Sequence, residues 1–234
     1  GVPNLSLDLF SLKYSSSNQS MLPSIINTVY LTALTLLLSV PIGIFSAIYL
    51  AEYSRKNSFF VKIINIAKET LSGIPSIVYG FLAFVISKKW GYSLLAGVIT
   101  LAIMVLPLII RTSQEAMLGV DNTFREASYG LGAGKLRTVF KIVLPSAMPG
   151  ILSGIILAIG RIVGETAALI YTAGTVPEAA TKLTSSSRTI SVHLYCLLNE
   201  GLYTEQAYAT AVVLIVFVVI INALSNALAK KIMK

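Results

Sequence analysis

Arg161 and Glu165 stand four residues apart in an otherwise apolar run, AIGRIVGETAALIYTAG. On a helix that spacing puts both side chains on one face, where they can pair. Either charge left alone near the bilayer centre would cost about 2.5–3.5 kcal/mol on an insertion scale, so both belong beside a partner face or a cavity. Two chemistries fit. One is a salt bridge that fixes helix packing. The other is a charged element of a translocation path, in which the guanidinium attracts an anion while Glu165 holds it in place and offsets part of its charge. A protonated tetrahedral oxyanion could also donate a hydrogen bond to the carboxylate, which suits phosphate species better than sulfate. Arg111 closes another apolar run and reads as a snorkelling anchor, as do Lys68 and Glu69.

Other chemistry finds little support. One cysteine, Cys196, excludes an internal disulfide and a clustered cysteine metal site. His193 has no second histidine or cysteine at ligand spacing and reads as a surface or packing residue. The stretch GLGAGKLR lacks both the spacing of a phosphate loop and the Ser/Thr after its lysine, so Lys135 reads as a surface or partner contact. No catalytic residue, metal or cofactor is expected in this chain.

The elements that must carry these residues are membrane helices. Hydrophobic residues make up 55% of the chain and charged ones 12%, with a mean hydropathy of +0.80. So few charges cannot cover a water-facing surface of ordinary size. Five apolar blocks follow: about Leu22 to Leu50, Leu71 to Ile86, Tyr92 to Ile110, Pro145 to Ala173 and Ala207 to Leu228. Blocks three to five are each long enough for a bilayer of about 30 Å at roughly 1.5 Å per residue. Block one holds Pro41 and Gly43, which predict a bend or an early end. Block two holds Gly73, Pro75 and Gly80 and is short alone, but the periodicity of FFVKIINIAKET carries its helix back toward Phe59. In block four, Gly150/Gly154 and Gly160/Gly164 are two small-xxx-small patterns that admit a neighbouring helix or a ligand.

Connector charges orient the blocks. Arg55, Lys56, Lys62, Lys68, Arg111, Arg125, Lys135, Arg137, Lys141, Lys230, Lys231 and Lys234 lie on one side, against Lys13, Lys88, Lys89, Lys182 and Arg188 on the other. Twelve against five puts the first side, with the C-terminus, in the cytoplasm. With five crossings Gly1 falls outside, an arrangement that expects one more helix ahead of residue 1.

The connector of residues 112–144 is too patterned for a spacer. Phe124, Ala127 and Leu131, then Leu136, Val139, Phe140 and Val143, predict two small amphipathic helices separated by Gly130-Leu131-Gly132-Ala133-Gly134. An interfacial helix lying on lipid headgroups would use the same pattern.

Glu126-Ala127-Ser128, three residues, Gly132, nine residues, then Ile142-Val143-Leu144-Pro145 resembles the EAA loop of bacterial ABC importer permeases, with Ser128 in place of the second alanine. The resemblance implies a MetI-like all-α permease bundle in a single membrane domain, residues 1–234. Its coupling loop would seat in a groove of a separate ATPase subunit, with Glu126, Ala127 and Gly132 as contact and turn residues.

Joined together, IYLAEYSRKN, ETLSGIPSIVYG, REASYGLGAGKLRTVFKIVLPSAMPGILSGIILAIGR and GETAALIYTAG resemble the PstA group of phosphate-importer permease subunits over nearly the whole chain. That likeness implies a paralogous permease, PstC; two copies of an ATPase, PstB, which bind the ATP and Mg; and an extracytoplasmic phosphate-binding protein, PstS. It implies six crossings in the full subunit, residence in the bacterial inner membrane, and Arg111, Arg161 and Glu165 in or near the substrate path. A permease for sulfate, molybdate or another small oxyanion would share the EAA loop. An ion channel or secondary transporter would work without an ATPase, and the organised coupling loop argues against it. The polar connector from about Gly174 to Glu205 reads as a docking surface for the binding protein or a short membrane-edge helix.

Overall fold

A computed structural model describes residues 1–15, 18–54, 58–86 and 91–232, and no strand occurs among them. The orienting charges Arg55, Lys56, Lys88, Lys89 and Lys234 lie outside the described residues. The helices are α1 (Leu22–Ile48), α2 (Phe59–Gly73), α3 (Ser76–Ile86), α4 (Leu94–Leu118), α5 (Asn122–Gly130), α6 (Lys135–Thr138), α7 (Leu144–Gly164), α8 (Ala167–Ile170), α9 (Ile190–Glu200) and α10 (Thr204–Ile232). A π-turn, Tyr49–Tyr53, extends α1, and another, Val139–Val143, joins α6 to α7 without a break.

Four of the described helical stretches are long and apolar enough to cross a membrane: Leu22–Tyr53, Leu94–Leu118, Lys135–Gly164 and Thr204–Lys231. The fifth expected crossing is different. Block two does extend back to Phe59, but it breaks at Ile74-Pro75 into helices of 15 and 11 residues. Pro75 has no N–H to donate and pushes the residue before it out of helical geometry. Its carbonyl then accepts from Val78 N at 3.0 Å and starts α3. Pro41 has no such effect, since α1 continues past it to Ile48.

The chain divides into two compact units. The first comprises Gly1–Leu37, Ile74–Met104 and Ile159–Ala223. Here Gly80 lets α3 approach α8 so closely that a Cβ would sit 3.1 Å from the Ala168 backbone, and Phe81 and Tyr171 stack beside it with ring centroids 4.6 Å apart. Leu9, Met21 and Ala209 form a small buried cluster. Asn27, fully buried on α1, donates to the carbonyls of Glu178 (2.9 Å) and Arg188 (3.1 Å) and accepts from Ala180 N (2.8 Å). One amide side chain thus anchors much of the 174–189 connector.

The second unit comprises Leu38–Gly73, Val105–Ala158 and Leu224–Lys234. Its core packs Ala47 and Ile48 of α1 with Met117, Val139, Val143, Ala147 and Ile151. A second cluster joins Leu50, Val61 and Ile110. The apolar window of α4 is 67% buried and that of α10 only 17%, so the chain covers most of the apolar surface of α4 and leaves that of α10 largely uncovered.

Candidate functional site

The segment expected to couple to an ATPase is built by local signals. Asp121 caps α5, its Oδ1 accepting from Thr123 N at 2.9 Å. These donations to the carboxylate hold the Asp121 pKa below the usual carboxylate value. The helix ends where Gly132 takes φ +81°, a left-handed conformation open to glycine without strain. Leu131 N and Ala133 N close the turn on the carbonyls of Ala127 and Ser128 at 3.1 Å each. Ser128 and Thr138, both buried, meet hydroxyl to hydroxyl at 2.8 Å and tie α5 to α6.

The expected second small helix is not separate. Residues 135–164 form one helical stretch, because nothing between Lys135 and Gly164 interrupts it beyond the π-turn. Pro145 and Pro149 do not stop it: Pro145 follows directly on the π-turn Val139–Val143, and α7 runs through Pro149 to Gly164.

Glu126, Ala127 and Gly132 all lie exposed. Around them Phe124 (55%), Leu131 (90%) and Leu136 (66%) are open to solvent, large apolar side chains with no cover in this chain. Phe124, Ala127, Leu131, Gly132, Arg137 and Ile142 help line a cleft of about 390 Å³.

Arg125 faces the other way. Its Nη2 donates to Glu52 Oε1 at 2.7 Å and its Nε to the same oxygen at 3.2 Å. It also donates to the carbonyls of Met117 (2.8 Å) and Val120 (2.7 Å), and to Asn122 Oδ1 at 3.3 Å. Side-chain exposure is 13% for Arg125 and 7% for Glu52, so this is a buried, multiply hydrogen-bonded pair. In the sequence Arg125 reads as an orienting charge or a headgroup contact, not as half of a buried pair. Its partner lies 73 residues away, and no local spacing points to it.

Arg111 donates to Glu115 at 2.9 Å, one turn on along α4, with both side chains largely exposed. Both line a cleft of about 540 Å³ with Asn65, Lys68, Glu69 and Gln114. Lys68 Nζ reaches Gln114 Oε1 at 2.7 Å. Burial first and the Arg111 charge second lower the Lys68 pKa, opposed by Glu115 and Glu69.

Arg161 and Glu165 belong to the first unit and Arg111 to the second, and Arg161 and Glu165 do not pair with each other. The ion pairs among the described residues are Arg111–Glu115 and Arg125–Glu52. Helix α7 stops at Gly164, so the i,i+4 geometry is never completed. Glu165 Oε1 instead accepts from Ala168 N at 3.0 Å, and its carbonyl from Ser191 Oγ at 2.7 Å, which starts α8 and fastens it to α9. Arg161 is half-buried in the last turn of α7.

The two glycine pairs of block four also part company. A Cβ at Gly150 would lie 2.6 Å from Ala116 Cβ, and one at Gly154 would overlap Thr112, so this pair is occupied by α4. At Gly160 and Gly164 a Cβ would meet nothing within 4 Å. An open strip of small residues therefore flanks Arg161.

In the 174–205 connector, Arg188 is buried at 4% exposure, its guanidinium 4.8 Å from the Tyr14 ring centre, and is not the solvated loop charge that sequence suggests. His193 is fully buried, edge-on to Tyr14, and is a packing residue. Burial, then the Arg188 charge, push its pKa down to about 3.

Comparison with known proteins bears on the whole chain. Residues 39–234 match the family described as binding-protein-dependent transport system inner membrane component. The probable ABC transporter permease protein YqgI of Bacillus subtilis is 31% identical over 95% of this chain and 82% of its own. The phosphate transport system permease protein PstA of Pasteurella multocida is 33% identical over 95% of this chain and 81% of its own. Among solved structures, a bacterial alginate ABC transporter in complex with an alginate-bound periplasmic protein superposes with a TM-score of 0.72 at 17% identity, over 99% of this chain and 85% of that one. At that identity the likeness concerns the fold.

Proposed function

The chain belongs to the binding-protein-dependent transport system inner membrane components, and from that premise we propose that it is the permease subunit of an ATP-driven phosphate importer. The observation that carries this reading is a pairing of two open surfaces. One is the exposed coupling helix bearing Glu126, Ala127 and Gly132, apolar enough to seat in another subunit. The other is the uncovered Gly160/Gly164 strip beside Arg161, where a second permease would complete a path.

In this reading PstC is the paralogous partner, PstB the dimeric ATPase that binds ATP and Mg, and PstS the extracytoplasmic donor of phosphate. Residues 112–144 form the cytoplasmic coupling loop of one membrane domain, and the basic connectors put the C-terminus in the cytoplasm. Similarity to the Pasteurella phosphate permease supports phosphate as cargo.

The chain's residues would then act as follows. Binding protein delivers phosphate from outside, and closure of the ATPases moves α5 against the membrane helices. Arg161, half-buried and free of Glu165, offers one positive charge to the passing anion. A single charge attracts without trapping, as conduction requires. Arg111, already engaged by Glu115, offers a weaker contact nearer the cytoplasm.

The test is ATP-driven uptake of radiolabelled phosphate into liposomes carrying both permeases and the ATPase, with loaded binding protein outside. Uptake should persist under excess sulfate or molybdate and fall about tenfold, equivalent to ~1.4 kcal/mol, in Arg161→Gln. Competition by sulfate or molybdate would move the cargo to another oxyanion. Uptake without ATP would point to a channel or secondary transporter.

A further inference from the structure

We infer that the buried Glu52–Arg125 pair is a strut that carries movement of the coupling helix into α1. This rests on the reading above, in which α5 docks on an ATPase.

The geometry is that of a rigid joint. Arg125 lies on α5, one residue before the exposed Glu126, so the same turn of helix presents one side chain outward and one inward. The inward side chain makes five hydrogen bonds: two to Glu52 and one each to Met117 O, Val120 O and Asn122 Oδ1. Three of its partners, Met117, Val120 and Asn122, sit at the α4–α5 corner and hold the guanidinium fast. The fourth, Glu52, belongs to a different helix. It lies in the π-turn that ends the 32-residue stretch Leu22–Tyr53.

A push on α5 therefore reaches α1 by two routes. One is the apolar contact of Ala47 and Ile48 with Met117 and Val139, which can slide. The other is the ion pair, whose fork geometry fixes direction as well as distance. A buried pair of this kind adds little net stability against an apolar replacement, because desolvation offsets the attraction. The fork geometry therefore fits a positioning role better than a stabilising one. Glu52 meets α5 through the two hydrogen bonds from Arg125, so it acts through Arg125.

The test uses the full complex of both permeases, ATPase and binding protein in liposomes. Glu52→Gln and Glu52→Asp are measured for ATPase co-purification, basal ATP hydrolysis, stimulation of hydrolysis by loaded binding protein, and phosphate taken up per ATP. The aspartate keeps the charge but withdraws it by one methylene. The strut predicts normal co-purification and basal hydrolysis in both variants. Stimulation and uptake per ATP should each fall at least about fivefold, with Arg125→Gln adding no further loss to Glu52→Gln. Stimulation and uptake per ATP within twofold of wild type would overturn it, and so would a loss that tracks failed assembly. If wild type takes up no phosphate, the functional reading fails by itself, while stimulation of hydrolysis still reads the strut.

Discussion

Gly154 of α7 and Thr112 of α4 are in direct contact, so close that a Cβ at Gly154 would overlap the threonine side chain. Gly164, ten residues further along the same helix, has nothing within 4 Å of that position. Alanine is favoured over glycine inside a helix by about 0.8–1.0 kcal/mol, so only a clash reverses the sign. Gly154→Ala should therefore destabilise the subunit by about 1–3 kcal/mol. Gly164→Ala should leave its stability within about 0.5 kcal/mol while weakening co-purification of a partner permease. Thermal unfolding in detergent reads the first effect, and equal losses in the two variants would refute the distinction.

Ser128 and Thr138 satisfy each other inside the coupling segment. Thr138→Val keeps the shape but leaves the Ser128 hydroxyl buried without this partner, at a cost of about 1–3 kcal/mol. Adding Ser128→Ala should recover part of that loss, because an apolar pair has nothing left to desolvate. Amide hydrogen exchange across residues 122–138 is the measurement, and a double variant worse than Thr138→Val would count against the account.

His193 has a folded pKa of about 3, below the ordinary value of about 6.5. Between those values the unfolded chain binds the proton and the folded one does not, so stability is full above about pH 6.5 and falls as pH drops. Lowering the pH from 7.5 to 5 should remove up to about 2 kcal/mol through this group. His193→Leu should flatten that part of the profile. Melting temperatures of both proteins across the interval decide it, and an unchanged slope would assign the acid sensitivity elsewhere.

Arg161 and Glu165 act separately. Glu165→Gln keeps an oxygen to accept from Ala168 N and should cost less than Glu165→Ala, which strips that contact from the start of α8. A double-mutant cycle of Arg161→Gln with Glu165→Gln should give a coupling energy under about 0.5 kcal/mol. A larger value would mean that the two charges meet in the working transporter.

Short-range patterns were legible without the fold. Apolar runs near 20 residues, the amphipathic pattern of Phe124, Ala127 and Leu131, and the glycine-rich turn that follows are set by neighbours within a helical turn or two. Helix α5 and the turn at Gly132 could therefore be placed from that pattern alone. Block two was harder, because its apolar periodicity runs across Pro75, and a proline alone does not predict a break: Pro41, Pro107 and Pro149 lie inside unbroken helices while the chain parts at Ile74-Pro75. The same competition governs Glu165, whose spacing from Arg161 invites a pair that the end of α7 at Gly164 prevents.

By itself, then, the sequence determined an all-helical membrane protein with a short amphipathic helix and a glycine turn between blocks three and four, because hydropathy and helical period act over distances a local reading spans. Tertiary structure alone decided which charges meet. Arg125 finds Glu52 across 73 residues, Arg188 goes under Tyr14 although it sits in a polar connector, and one glycine pair of α7 is filled while the other stays open. The reason is physical: a charge or a cleft takes its energy from whatever the folded chain brings beside it, and spacing along one helix specifies only the neighbours on that helix.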